Sequence, residues 1–362
     1  MTETVPVVTG GVDTHKDFHV AAALDQLGRV LGSRQFPTSL AGYRALLTWL
    51  RHFGQVTAVG VEGTGAWGAG LARFLAAQEV EVVEVNRPNR QARRRRGKSD
   101  PADAEAAARA VLAGDAQGTP KAATGTVEAI RLLRVARRSA MKARTQAANQ
   151  IHSVIDTAPE HLRAGLIGLK EHERIAKAAR LRVTDTSAPL GAAKFTLVSL
   201  AKRWVALTEE IAMLDVRLAE LVQSAAPSLI AIKGVGVETG GTLLAAAGDN
   251  PDRLHSERSY AALCGSSPVD ASSGRRQDRH RLNRGGDRQA NCALYLIVLN
   301  RLAWDQRTKD YMARRTAEGK TKKEVIRCLK RYVAREVYNA IIRDLARTTE
   351  PPAAIDDARK AA

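Results

Sequence analysis

The chain has 362 residues, with 56 Lys and Arg against 38 Asp and Glu and a formal charge of +18. That length suits two or three folding units rather than one small module, and the charge favours polyanions, nucleic acid first, over neutral substrates. No run of about 18 apolar residues and no basic-then-apolar leader pattern occurs, which argues against a membrane partner and makes the cytoplasm, at the nucleoid, the expected compartment. Cys264, Cys292 and Cys328 are too few for a disulfide framework and too widely spaced for a zinc site, so they are expected as reduced packing thiols. Aromatic residues make up only 4% of the chain, which favours contacts to phosphate over stacking on bases.

Short apolar runs at Val7–Val12, Phe18–Leu24 and Arg29–Phe36 predict three strands joined by tight turns. Ser39–Phe53 carries Leu40, Tyr43, Leu46, Leu47 and Leu50 at helical spacing; a strand at Val56–Val61, a helix at Ala66–Gln78 and a strand at Glu81–Val85 follow. A meander followed by alternating strands and helices predicts a mixed α/β sheet, the element order of ribonuclease H-like (RuvC-like) nucleases. Arg87, Arg90, Arg93, Arg94, Arg95, Arg96 and Lys98 then form a block without an acid, either a nucleic-acid-facing loop or a solvated charge run.

From Thr126 to about Gln223 the pattern is helical. Ile130, Leu133, Ala136, Ala140, Ala143, Ala147 and Ile151 form a seam that suits a coiled coil, as an oligomer contact or as a helix pair within the chain. We divide the chain into 1–118 (α/β, acid-bearing), 119–225 (helical coiled-coil spacer), 226–347 (mostly α-helical C-terminal domain) and 348–362 (disordered tail, without periodicity).

Four acids stand out. Asp13 follows the first strand and Glu62 ends a later one; Asp100 and Asp103 open a helix, three apart on one face. Carboxylates from distant segments suit hard divalent cations, and two such cations can stabilise both oxygens of a phosphoryl transfer. Helix capping is the alternative for Asp100 and Asp103, because Asp100 precedes Pro101 and acids favour a first turn. Further on, Lys233-Gly234-Val235-Gly236 reads as a helix-hairpin-helix turn that grips phosphate, or as an ordinary helix–helix turn. Ser272-Ser273-Gly274 sits among Arg275, Arg276, Arg279, His280, Arg281 and Arg284, where a serine could attack phosphate or a loop could simply bend.

These blocks together resemble the DEDD transposases of bacterial insertion sequences known as the IS-one-ten group, which includes Piv-type DNA invertases. The matching stretches are Gly11–Lys16, Val59–Gly65, Lys98–Ala104, Lys233–Gly236, and Gly265–Pro268 with Ser272–Gly274. The resemblance implies a RuvC-like domain holding magnesium or manganese at Asp13, Glu62, Asp100 and Asp103. It also implies a coiled-coil spacer and a C-terminal domain whose nucleophilic serine falls on Ser273, with Ser272 one residue away. DNA at the element ends and target, a structured bridge RNA and a dimer or tetramer are the implied partners. Where the family commonly carries a Lys-x-Gly-Asn stretch, this chain reads Asn283-Arg284-Gly285-Gly286-Asp287, keeping the charge but ending on an acid. A Piv-like invertase, a junction-resolving nuclease using water and a non-catalytic binding protein remain as alternatives.

Overall fold

The computed structural model describes residues 6–85, 99–183, 185–273, 280–281 and 283–349. The expected tail lies outside these from residue 350 onward. The chain forms two compact units, one of Met1–Gly125 with Ala247–Ser256 and one of Thr126–Ala246 with Glu257–Ala362.

The first unit is built on a five-stranded sheet of order β3-β2-β1-β4-β5, from β1 (Val7–Thr14), β2 (Phe18–Leu24), β3 (Val30–Pro37), β4 (Gln55–Glu62) and β5 (Glu81–Val85). The first three strands run antiparallel, while β4 lies parallel to β1 and β5 parallel to β4. The β2–β3 turn closes as its sequence requires: the Asp25 carboxylate accepts from the amides of Leu27 and Arg29, and Gly28 takes a left-handed φ of 76°. Ser39 caps α1 (Leu40–His52) by accepting the Gly42 amide at 3.1 Å. With α2 (Ala69–Ala77), α1 covers one sheet face, where Val8, Val12, Val59, Val61, Leu46, Leu50 and Leu71 share a buried cluster.

Residues alternate between faces along a strand. Since Val12 and Val61 face α1 and α2, the intervening Gly11, Asp13, Gly60 and Glu62 belong to the opposite face. There α3 (Asp100–Leu112) packs, with Ala104 against Val20 and Ala22. Gly11 and Gly60 are register partners across β1 and β4. A Cβ on Gly11 would overlap the Ala104 carbonyl oxygen and the Ala108 amide, and one on Gly60 would meet the Ala107 carbonyl oxygen at 2.8 Å. Glycines on the strands and alanines on the helix thus let the two backbones approach and fix where α3 begins.

The second unit is helical. Its two long helices, α4 (Thr126–Thr157) and α7 (Pro189–Ala225), pack against each other. The short α5 (Glu160–Ala164) and α6 (Glu171–Ala179) close one end over Ile151, Ile155, Leu162, Ile175 and Leu197. Of the predicted seam, Ile130, Ala140, Ala147 and Ile151 are buried. Arg134 is buried beside them, held by Glu238 at 2.9 Å and Thr242 at 2.5 Å. Then follow α8 (Pro227–Ile230), α9 (Val237–Ala247), α10 (Glu257–Leu263), the two-stranded β6 (Val269–Asp270) and β7 (His280–Arg281), α11 (Arg288–Trp304), α12 (Gln306–Ala317) and α13 (Lys322–Thr349).

Candidate metal centre and serine hairpin

Asp13, one residue before the end of β1, has 8% of its surface exposed, and Asp103, in the first turn of α3, is 3% exposed. Between Asp13 and Asp100 stands His15, its Nε2 3.2 Å from Asp13 Oδ2 and 3.4 Å from Asp100 Oδ2. Ligand atoms of Asp13, His15 and Asp100 lie within 4.8 Å of one another. Glu62 shares the sheet face of Asp13 and ends the adjacent strand; the Thr14 hydroxyl donates to its carbonyl at 2.9 Å, tying the two strand ends together. Asp100 is the first helical residue, and Ser99, not Asp100, takes the cap position. Asp100 is therefore not the cap, although it and Asp103 occupy the first turn behind Ser99, and its carboxylate faces His15.

Burial pushes the Asp13 carboxyl above its ordinary value; His15 opposes this, and the Asp103 and Asp100 carboxylates push it further up. A buried carboxylate with two others beside it, as Asp13 is, is relieved by a neutralising cation or by a proton. The oxygens at hand, with one imidazole nitrogen, are a donor set suited to a divalent metal. The carboxylate oxygens of Asp13 and Asp100 and the His15 nitrogen are the atoms positioned to hold one. His15 lies inside a stretch singled out in the sequence but received no role there; its i+2 spacing from Asp13 was the available signal.

The loop after β4 is braced from behind. The Thr64 hydroxyl donates to Glu84 Oε1 at 2.7 Å, and Glu84 Oε2 faces Arg253 Nη2 at 3.8 Å. Arg253 comes from the returning segment Ala247–Ser256, which is anchored where Asn250 accepts the Ala122 amide at 3.0 Å and donates to the Pro120 carbonyl at 3.2 Å.

In the second unit, Ser272 and Ser273 are exposed and follow β6, where Asp270 pairs in register with His280 of β7. The Ser272 amide donates to Asp270 Oδ1 at 2.8 Å. Its hydroxyl also donates to that carboxylate, the chief reason the Asp270 carboxyl is held below its ordinary value. The approach to the hairpin is tightly built. Gly286 abuts Gly265 too closely for a Cβ, and Asn291, held by the buried Lys330 at 2.8 Å, donates to the carbonyls of Cys264 and Gly265. Asp287, the acid that ends the family-like basic stretch, caps α11 by accepting from the Gln289 and Ala290 amides. Arg284 is exposed nearby.

The glycine turn joins α8 to α9, with Gly234 at a left-handed φ of 86°. Asp344 accepts the Ser228 and Leu229 amides, and Arg301 donates to the Lys233 carbonyl at 2.8 Å, so the turn is fastened to α11 and α13. Lys233 pairs with Asp305 at 3.0 Å, and the Gly236 amide is taken by the Thr239 hydroxyl. Arg93, Arg94, Arg95, Arg96, Lys98, Arg275 and Arg276 lie outside the described residues.

In the first unit the mixed sheet brings Asp13 and Glu62 to the face on which α3 packs with Asp100 and Asp103 in its first turn; in the second, two exposed serines follow β6. The family model for DEDD transposases of the IS110 type, described as "Transposase", matches residues 10–158. A second, described as "Transposase IS116/IS110/IS902 family", matches residues 226–313. The first match contains all four acids and the second contains both serines and the glycine turn. The "Insertion element IS110 uncharacterized 43.6 kDa protein" of Streptomyces coelicolor is 29% identical over 159 residues, 42% of this chain and 38% of that protein. The chain thus spans little more than a third of that relative's length. It belongs to the IS110 family of transposases.

Proposed function

We propose that this protein cuts and rejoins DNA as the transposase of an insertion sequence. In this reading Asp13, Glu62, Asp100 and Asp103 hold magnesium or manganese in an RNase H-like unit, and Ser273 is the nucleophile. One observation carries the reading: Asp13, His15 and Asp100 converge within 4.8 Å on the sheet face that also bears Glu62, inside the segment matched by the DEDD family. The antiparallel β1–β3 followed by parallel β4 and β5 is the strand order that an RNase H-like fold requires.

A divalent ion there would stabilise charge on the attacking and leaving oxygens of a phosphodiester. Asp13 and Asp100 would hold that ion, and the Gly11–Gly60 seat of α3 sets their separation. Ser273 Oγ forms a bond to phosphorus as the bond from phosphorus to a sugar oxygen breaks; the proton lost by the serine is taken up, through solvent, by the leaving sugar oxygen, which departs as a hydroxyl. Attack by a DNA hydroxyl on the phosphoserine then rejoins the strand and restores the serine. Ser272, bonded to Asp270, is the alternative nucleophile one residue away.

Residues 119–225 serve as a coiled-coil spacer for a dimer or tetramer. Lys233, Gly234, Gly236, Arg284 and the basic residues at 93–96, 98, 275 and 276 contact phosphates of DNA and of a bridge RNA. The surplus of positive charge supports two nucleic-acid partners. Among the described residues no helix is long and apolar enough to cross a membrane. The test is cutting of element-end DNA with and without magnesium, by wild type and by Asp13→Ala. Metal-dependent cutting that Asp13→Ala abolishes is expected; equal cutting by the variant overturns the assignment.

A further inference from the structure

Tyr311 and Tyr332 of the second unit meet as a ring pair. In the second unit, α12 and α13 border a groove of about 1140 Å³. Along α12, Arg307, Tyr311 and Arg314 recur at spacings of four and three and so share one helix face. Along α13, Tyr332, Asn339 and Arg343 recur at seven and four and do the same. All six line the groove.

The two rings meet edge to face, 5.7 Å apart at 81°, and Tyr332 keeps 49% of its surface exposed. Arg314 lies 5.4 Å over the Tyr311 ring, which fixes that ring as the backing of the pair. Burial pushes the Tyr311 hydroxyl up to about 12, so it stays neutral at any working pH. The groove's cations are of two kinds. Lys233, Arg301 and Arg335 are paired to Asp305, Glu336 and Glu257, while Arg314 is engaged with the Tyr311 ring. Arg307 and Arg343 are exposed and make no ion pair among the described residues.

We propose that this groove is a binding site for an unpaired nucleotide, its base stacked on Tyr332 and met at the edge by the Asn339 amide, with the flanking phosphates held by Arg307 and Arg343. The chemistry of each wall matches one part of that ligand: a ring face for the base, an amide that both donates and accepts for its edge, and guanidinium forks for phosphate. A duplex fits less well. Its paired, stacked bases offer no free ring face to Tyr332. The inference rests on the nucleic-acid reading above and narrows it to a single-stranded or looped segment.

The test uses full-length protein without divalent metal and a fluorescent oligonucleotide, alone or annealed to its complement, read by anisotropy. Wild type is expected to bind the single strand more tightly than the duplex. Tyr332→Ala weakens single-strand binding about tenfold, as loss of one base stack requires, while duplex binding is unchanged and Tyr332→Phe binds as wild type. Tyr295→Ala, an exposed tyrosine on α11, changes nothing. If Tyr332→Ala proves poorly folded by its melting curve, Asn339→Ala serves instead, since Asn339 is exposed; it should even out binding among single strands of different base composition. Single-strand binding unaffected by Tyr332→Ala, or weakened as much by Tyr332→Phe, overturns the proposal. Asp13→Ala separates the two readings. If that variant retains the Tyr332-dependent preference yet cuts DNA like wild type, the metal-site reading fails and the groove stands; if it loses cutting while Tyr332→Ala binds normally, the reverse holds.

Discussion

Replacing Gly60 by alanine puts a methyl carbon between β4 and α3, the helix that carries Asp100 and Asp103. That carbon would lie 2.7 Å from Val111 Cγ2, 2.8 Å from the Ala107 carbonyl oxygen and 3.1 Å from Val85 Cγ2. Ordinary contact begins at about 3.4 Å, so the helix must retreat by about 0.6 Å or the sheet must bend. Overpacking of that kind costs about 1–3 kcal/mol. A shift approaching 1 Å in groups that position a reaction costs activity about a hundredfold. The Val111 methyl can be trimmed, but the Ala107 oxygen is backbone and cannot. Gly60→Ala with Val111→Ala should therefore recover only part of the loss. Urea denaturation and metal-dependent DNA cutting measure the two effects. Gly65→Ala is the control, because a Cβ there meets nothing within 4 Å. Gly60→Ala that matches Gly65→Ala in both assays would refute the close seating of α3.

Arg253→Met removes the cation facing Glu84 and should cost about 1–3 kcal/mol in urea denaturation, with Arg253→Lys recovering part; an unchanged midpoint for Arg253→Met would sink the bracing role. Burial pushes the Cys264 thiol up to about 12, while Cys292 is exposed, so a native disulfide-exchange reagent should label Cys292 and spare Cys264; equal rates by mass spectrometry contradict this. Burial holds His19 below its ordinary 6.5. The unfolded chain then binds the proton that the folded chain refuses, so stability falls as pH drops below 6.5. His19→Phe should flatten that slope, and an identical pH dependence in melting experiments would count against the assignment.

Much of the first unit was legible because each of its elements carries its own period. The short apolar runs of β1 and β2 and the three-and-four spacing of α1 depend only on local sequence, and the edges of the predicted elements shift by up to three residues in the structure. Asp13 and Glu62 read as the ends of two strands that would be neighbours in the expected sheet, and β1 does pair with β4. The docking of α3 was not legible, since nothing local says that Ala104 and Ala107 meet Gly11 and Gly60. The return of Ala247–Ser256 to the first unit was equally hidden: its anchor from Asn250 to Ala122 spans 128 positions. Asp287 looked like a departure from the family's basic stretch, and its role as the cap of α11 depends on where that helix starts. Tyr311 and Tyr332 fall on different helices, and only packing turns two isolated tyrosines into a pair.

The most direct measurement of the central claim is capture of a denaturation-resistant protein–DNA adduct from full-length protein, element-end DNA, candidate RNA and magnesium. Wild type should form the adduct, with the attachment mapped to Ser273 by mass spectrometry, and Ser273→Ala should form none. An adduct that persists undiminished in both Ser273→Ala and Ser272→Ala, or cutting that proceeds with no adduct at all, would contradict a serine nucleophile and assign the attack to water at the acidic site.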